Sequence, residues 1–441
     1  MVILPSQLDL RSTEIGSKTK NLKKLIDAGF AVPPFVAVPA SALRKRNVSE
    51  LVAEIKTKLP VTRYAVRSSA LIEDSETASF AGQFKTKINQ TPDFTGKTIY
   101  VGMDVHLKNW NITLYHEQQY LRKFQQEANP EALVKHLTEH FPGAHFKLAY
   151  EAGFCGFWIQ RALAQAGMEC IVVNAADVPQ TDKGSKMKTD TTDSKRIGES
   201  LSGGMLRPIF IPDTQTESDR TVVRYRHRLQ TDLVRSKVRI KSFLNHFGIK
   251  LPAQFDNSKW TLALLQWLKE LPFPHPSARI TLSRMIVQVE YLQQQILQLS
   301  RDLRAMIRSE QYTTNAKLLL SVPGIGALTA ISMLTEIGSI NRFKTFYHFN
   351  SFIGLCPTEF SSGETERKGS ITPRHHVQLR SLLIEMAWSA IRLDPAITLV
   401  YNEYKKRMTA KRAIIRIARK MLHRIYYVLT KQKPYVKGIV K

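Results

Sequence analysis

Four carboxylates stand where chemistry on a phosphate needs them. Asp104 lies inside the apolar run Tyr100-Val-Gly-Met-Asp-Val-His106, and Glu151 directly follows a second such run in Lys147-Leu-Ala-Tyr-Glu-Ala-Gly153. Asp190 and Asp193 are three apart in Lys188-Thr-Asp-Thr-Thr-Asp-Ser-Lys195, a spacing that puts both on one face of a helix. Taken singly, each acid has an ordinary role as a solvated side chain. Gathered at strand ends and on one helix, they make a hard-oxygen set suited to Mg²⁺. Two such ions about 4 Å apart can clamp a scissile phosphate during an in-line displacement.

Three further segments bear on a polyanion. Leu320-Ser-Val-Pro-Gly-Ile-Gly-Ala-Leu-Thr-Ala330 places Pro-Gly-Ile-Gly between two apolar helical runs. This is a helix-hairpin-helix signal: Gly324 and Gly326 let backbone approach a phosphate, and the next helix opens with N–H groups aimed at it. A tight helix–helix turn without a ligand would show the same residues. Ser361-Ser362-Gly363 is, on its own, a flexible turn. Lys411, Arg412, Arg416, Arg419 and Lys420 alternate with apolar residues at helical spacing, one face for the core and one for a phosphate backbone or for water.

The elements that must hold these residues can be read in outline. Helices are expected at Asn21–Ala28 and 48–59, and strands at Phe35–Val38 and Tyr64–Val66, with a turn-rich joint at Thr91–Gly96. A hairpin is expected from Thr98–Val105 and Asn111–Tyr115, then a helix at Pro130–His140, a strand at Phe146–Tyr150, a helix at Trp158–Ala166 and a strand at Glu169–Val173. Such alternation predicts a mixed sheet covered by helices. A basic helix spans Arg220–Phe247. Over 282–306 the residues Leu282, Met285, Val289, Leu292, Ile296, Leu299, Leu303 and Met306 are spaced 3 and 4 in turn, a heptad seam. It fits either an antiparallel pair with 220–247 or a coiled coil between chains. The remainder, 315–430, reads as helical.

Composition narrows the partner. The 441 residues carry 64 Lys+Arg against 37 Asp+Glu, a net charge of +27. The excess is +13 over 361–441 but only +5 over 1–95. Neutralising phosphates releases counterions, so nucleic acid is the expected partner, bound mainly by the body and C-terminus. Cys155, Cys170 and Cys356 form no CxxC pair, so neither a zinc site nor a disulfide framework is expected. No signal peptide is read at the start and no apolar run approaches the ~18 residues of a membrane span, so a cytoplasmic protein without a membrane partner is expected.

The order Gly102-Met-Asp104, Glu151-Ala-Gly153, Lys188-Thr-Asp190-Thr-Thr-Asp193 resembles the D, E, D, D pattern of insertion-sequence transposases of the DEDD type, the IS110-like family. Phe352-Ile-Gly-Leu-Cys-Pro, then Ser362-Gly363, then Gly369, then Leu379-Arg-Ser-Leu-Leu383 resembles the C-terminal domain of the same transposases. The resemblance covers about 97–430. It departs at Ile371-Thr-Pro-Arg-His-His376, where the family has Ile-x-Lys-x-Gly followed by Asn or Asp, although Arg374 keeps a cation. The resemblance implies an RNase H-like (RuvC-like) catalytic domain in which Asp104, Glu151, Asp190 and Asp193 are catalytic and coordinate Mg²⁺. It also implies that Ser362, with Ser361 as its neighbour, attacks the DNA phosphate to form a phosphoserine link. A serine hydroxyl needs activation, which a metal held by the acids would supply if the two domains meet at one site. Some members use a non-coding bridge RNA to choose donor and target DNA.

The N-terminal segment differs. Ala65-Val-Arg-Ser-Ser-Ala-Leu-Ile-Glu-Asp-Ser-Glu-Thr-Ala-Ser-Phe-Ala-Gly-Gln83, with Gly16–Asn21 and Ala28–Pro34, resembles the nucleotide-binding domain of pyruvate phosphate dikinase and phosphoenolpyruvate synthase, where Arg67 would meet nucleotide phosphates. Only about 1–93 is covered. A partial fold cannot enclose ATP, so Arg67 is read as vestigial and no kinase activity is expected.

The expected architecture is therefore α/β plus α. Residues 1–95 are a truncated ATP-grasp-like fragment, 96–250 an RNase H-like DEDD domain, 251–312 coiled-coil helices, and 313–441 a helical domain with the helix-hairpin-helix and the serine loop. The expected function is a Mg-dependent transposase or site-specific DNA recombinase, with DNA ends, target DNA and a bridge RNA as partners and a homodimer or tetramer as assembly. A Holliday-junction-type nuclease using the acids alone, or a non-catalytic DNA-binding fusion derivative, stand as alternatives.

Overall fold

The computed structural model describes residues 2–9, 15, 17–39, 41–42, 48–59, 65–67, 74–75, 78–79, 86–88, 94–179, 190–256, 259–359 and 368–438. The chain divides into two compact units, Met1–Ile209 and Phe210–Lys441.

In the first unit, helices α1 (Ser17–Asp27) and α2 (Val48–Lys58) precede two short antiparallel ladders, β1 (Ala65–Arg67) with β4 (Thr86–Ile88), and β2 (Asp74–Ser75) with β3 (Ala78–Ser79). The strand expected at Phe35–Val38 reduces to one antiparallel bridge, Ile3 with Ala37. Its apolar residues instead face small clusters: Ala37 packs with Leu8 and Ile15, and Val36 and Val38 pack on Val2 and Leu51.

A five-stranded sheet follows, built from β5 (Thr98–Val105), β6 (Asn109–His116), β7 (Gln119–Glu127), β8 (His145–Glu151) and β9 (Glu169–Val173), in the order β7-β6-β5-β8-β9. β5, β6 and β7 run antiparallel, whereas β5, β8 and β9 are parallel. The β6–β7 turn uses Glu117 and Gln118 at φ 47° and 63°, the left-handed pair that a two-residue hairpin needs. Helix α3 (Pro130–His140) starts where the Asn129 side chain accepts hydrogen bonds from the Glu131 and Ala132 amides, with proline at its first position. Ile99, Val101 and Met103 alternate along β5 and are fully buried, as are Leu133 and Leu137 of α3 and Ile159 and Leu163 of α4 (Trp158–Gln165). The other face of β5 receives α5 (Asp190–Ser202). A central strand covered on both faces reads as a nearly continuous apolar run, as Thr98–Val105 does.

In the second unit, α6 (Thr214–His246) and α8 (Pro276–Met306) pack as a long pair, with α7 (Leu262–Glu270) against them. The heptad seam is filled within the chain. Leu282, Val289, Leu292 and Ile296 share a core with Leu229, Leu233, Ile240 and Leu244 of α6 and with Leu264, Leu265 and Leu268 of α7. The antiparallel alternative therefore holds for this seam. The rest is a helical cluster of α9 (Glu310–Leu320), α10 (Ala327–Ile337), α11 (Phe346–Ile353), α12 (Val377–Leu393), α13 (Pro395–Arg407) and α14 (Ala410–Lys431), with a ribbon of β10 (Pro357–Glu359) and β11 (Lys368–Ile371). Residues 330–337 of α10 are all buried, so this helix is the axis of the cluster. Among the described residues no helix is long and apolar enough to cross a membrane.

Candidate active site

The parallel pairing of β5 with β8 brings the first two acids together. Gly102 pairs with Ala149 and Met103 with Tyr150, so the next residues, Asp104 and Glu151, end adjacent strands on the same face. That face is the one α5 covers, and α5 carries Asp193 and begins at Asp190. Asp193 is buried at 9% exposure, and the side chains of Asp104 and Glu151 are 17% and 29% exposed.

Close approach of α5 depends on glycine. A β-carbon on Gly102 would overlap the Gly198 nitrogen and the Ser194 carbonyl oxygen of α5, both backbone atoms that cannot rotate away. Gly198 in turn lies under the Tyr115 ring, where an added β-carbon would stand 2.9 Å from the ring. One strand further, the hydroxyls of Thr113 and Ser194 are hydrogen-bonded at 2.9 Å in the interior. The glycine two residues before Asp104 thus sets the distance between the strand acids and the helix acids.

Arg196, one turn along α5 from Asp193, ties the acids together. Its Nη2 lies 3.2 Å from Glu151 Oε1 and 3.1 Å from Asp193 Oδ1, while its Nε is buried without a hydrogen-bond partner. Asp104 Oδ2 lies 3.0 Å from His106 Nε2. Lys123 of β7 belongs to the same neighbourhood: burial lowers its pKa, and the charge of Asp104 partly offsets this. Arg196, His106 and Lys123 were missed from sequence. Arg196 had a signal, its i,i+3 spacing from Asp193; Lys123 had none.

The acids have the right donor chemistry for a hard divalent cation. Among the described residues, however, no three of His, Cys, Asp and Glu stand close enough to hold a metal together. Glu151 and Asp193 both contact Arg196, so a metal bound by either carboxylate would compete with that guanidinium. The Asp190 side chain lies outside the described residues, as do Ser361, Ser362 and the Arg67 side chain. The backbone that carries Ser362 joins β10 to β11, which pair antiparallel through Pro357 with Ile371 and Glu359 with Lys368.

Of the expected nucleic-acid residues, Gly324 has a packing role. Its φ is +86°, and a β-carbon there would press on the Met386 carbonyl oxygen of α12. Gly326 is exposed, has open space around it and caps α10. Lys411, Arg412 and Arg416 are exposed and Arg419 and Lys420 half-buried on α14, whose opposite face is core; Arg374 is exposed.

A mixed sheet with carboxylates near the ends of two adjacent parallel strands, and a third on the helix laid across them, is the arrangement expected of an RNase H-like DEDD domain. The family comparisons agree. Residues 101–249 match the profile of the DEDD transposases of IS110 elements, and 316–402 match the transposase profile of the IS116/IS110/IS902 family. A third profile, the AMP/ATP-binding domain of pyruvate phosphate dikinase, matches 44–149 and so overlaps the first over β5 to β8. The protein y4qE of Sinorhizobium fredii is 29% identical over 263 residues, 60% of this chain and 63% of its own length. The transposase for insertion sequence element IS1533 of Leptospira borgpetersenii is 25% identical over 299 residues, 66% of this chain and 85% of that protein. The pilin gene-inverting protein of Moraxella bovis is 31% identical over 157 residues, 33% of this chain and 46% of that protein. Over 101–249 and 316–402 the chain is thus similar to the transposases of IS110 elements.

Proposed function

We propose that this chain is the transposase of an insertion sequence, a site-specific DNA recombinase that cuts and rejoins strands with a serine nucleophile in the presence of Mg²⁺. The observation that carries the reading is the convergence of Asp104, Glu151 and Asp193 on one face of the sheet, set by the β5–β8 register and by Gly102 beneath α5. Asp104, Glu151, Asp190 and Asp193 would hold the metal, whose chemistry when bound is to polarise phosphoryl oxygens. Ser362 Oγ attacks the phosphorus, the bond to one deoxyribose oxygen breaks, and that oxygen leaves as a hydroxyl. Attack by a hydroxyl of another strand then releases the serine. A relative named for inverting a gene favours recombination over simple cutting, because inversion requires strands to be rejoined. A bridge RNA as guide and a dimer or tetramer as assembly belong to the same reading. Residues 1–95 are a remnant of the dikinase-type domain without kinase activity.

The test is strand cleavage on the element's own ends. Cleavage is expected with Mg²⁺, to vanish with chelator, and to fall on the order of a thousandfold in Asp104→Asn and in Asp193→Asn. Metal-independent cleavage at wild-type rate in both variants would remove the acids from the chemistry.

A further inference from the structure

A second cluster of charge lies in the unit Phe210–Lys441. Glu336 of α10 is 3% exposed. Its carboxylate takes two hydrogen bonds from Arg224 of α6, at 2.6 and 2.8 Å, one contact from Arg220 at 3.4 Å and one from His376 at 3.2 Å. One negative charge is thus surrounded by two arginines and a histidine. Above it opens a cleft of about 380 Å³ lined by Arg224, His227 and Arg228 of α6 and by His375, His376, Val377 and Gln378 at the start of α12. Among the described residues, every ionisable side chain lining this cleft is basic. Counting Glu336 against Arg220 and Arg224, and adding Arg228, leaves a local excess of positive charge before any histidine is protonated.

The cleft wall is built rather than incidental. Gly354, at φ +85°, lets His375 lie directly on the backbone, where a β-carbon would overlap the His375 side chain. Arg380 Nη1 donates to the carbonyls of Gly354 at 3.2 Å and Thr372 at 2.7 Å, which fixes the segment leading into α12. His375 Nδ1 lies 2.5 Å from the Pro373 carbonyl oxygen and donates to it, leaving Nε2 for a ligand. His376 caps α12 by accepting a hydrogen bond from Leu379 N, and Val377 and Gln378 of the first turn line the cleft.

We propose that this cleft is a phosphodiester-binding site that grips a nucleic-acid backbone, with Arg228 as the contacting cation, His227 and, when protonated, His375 as hydrogen-bond donors beside it, and Glu336 as the buried anchor that fixes Arg224 and His376. The proposal rests on the reading of the chain as a nucleic-acid enzyme and names one place where it holds its substrate. A set of basic side chains with no acid among the described lining residues suits the phosphate charge and carries no base readout.

The test is equilibrium binding of the full chain to a duplex DNA oligonucleotide and, separately, to an RNA hairpin of equal length, over a salt series. Arg228 is exposed and makes no part of the core, so Arg228→Gln should fold with unchanged Tm. It is expected to weaken binding about tenfold and to lower the slope of log K against log salt by about one unit. Arg228→Glu should weaken it further, and Arg301→Gln, an exposed arginine of α8, should change nothing. Loss on DNA alone, on RNA alone or on both supports the cleft and says whose backbone it holds. Unchanged affinity and slope on both nucleic acids, or a wild-type chain that binds neither, overturns it. Absent cleavage with this binding pattern intact would sink the proposed reaction and leave the cleft standing, whereas normal cleavage with no effect of Arg228 would do the reverse.

Discussion

Gly102→Ala is expected to lower the melting temperature of the protein by about 6–12 °C and to reduce strand cleavage by at least about a hundredfold. The new methyl group would sit inside the backbone of α5 at Ser194 and Gly198. Neither partner is a side chain that can turn aside, so strand and helix must separate. Overpacking of this kind costs about 3 kcal/mol, and in a domain of this size each kcal/mol lowers the midpoint by about 2–4 °C. The larger effect is on chemistry. Asp193 rides on α5 and Asp104 on β5, so a shift of about 1 Å between them is enough for a hundredfold loss. Gly153→Ala is the control. It lies just beyond Glu151, but its β-carbon would meet only the Glu151 carbonyl oxygen at 4.0 Å, so calorimetry and cleavage should both stay close to wild type. Equal behaviour of the two variants would mean that close packing of α5 does not position the acids.

Glu336→Gln is expected to cost about 3 kcal/mol, read as a fall of roughly 6–12 °C in the midpoint of the helical unit. Burial opposes the ionised form of this carboxyl, but hydrogen bonds from His376 and Arg224, together with their charges, outweigh it and bring the pKa from 4.5 to about 2. A folded-state pKa below the unfolded value contributes stability above pH 4.5 that is lost as pH falls through about 2. Wild type should therefore lose stability between those limits, whereas Glu336→Gln should lose less there because that group no longer titrates. Urea unfolding across this pH range checks both statements. Parallel pH profiles for the two proteins would show that Glu336 is not the linked group.

Much of the catalytic unit was legible because its signals are local. Apolar runs with an acid at the end marked β5 and β8, and Asn129-Pro130 marked the start of α3. β7 was not, for two physical reasons. It is an edge strand, whose residues Gln119-Tyr-Leu-Arg-Lys-Phe-Gln-Gln-Glu127 are mostly polar, and its turn adopts positive φ without the glycine or asparagine that usually signals one. The acids could be named from order and context, yet the reason for Gly102 needs α5, which is packed from ninety residues away. The heptad seam was legible as a seam but its partner was not, since the same spacing serves a helix of the same chain or of another. Glu336 was invisible for a similar reason. It stands in the apolar run Ser332-Met-Leu-Thr-Glu-Ile337, and the groups that make a buried acid tolerable lie 112 residues before it, at Arg224, and 40 after it, at His376.

The most direct test of the central claim is a recombination assay with the element's own ends and its flanking non-coding RNA in Mg²⁺, comparing wild type with Ser362→Ala and Asp104→Ala and trapping any protein–DNA adduct. The account predicts recombinant product and a covalent adduct in wild type, no adduct in Ser362→Ala, and no product in either variant. Product formed at the wild-type rate by Ser362→Ala would contradict a serine recombinase and leave a nuclease that works through the acids alone.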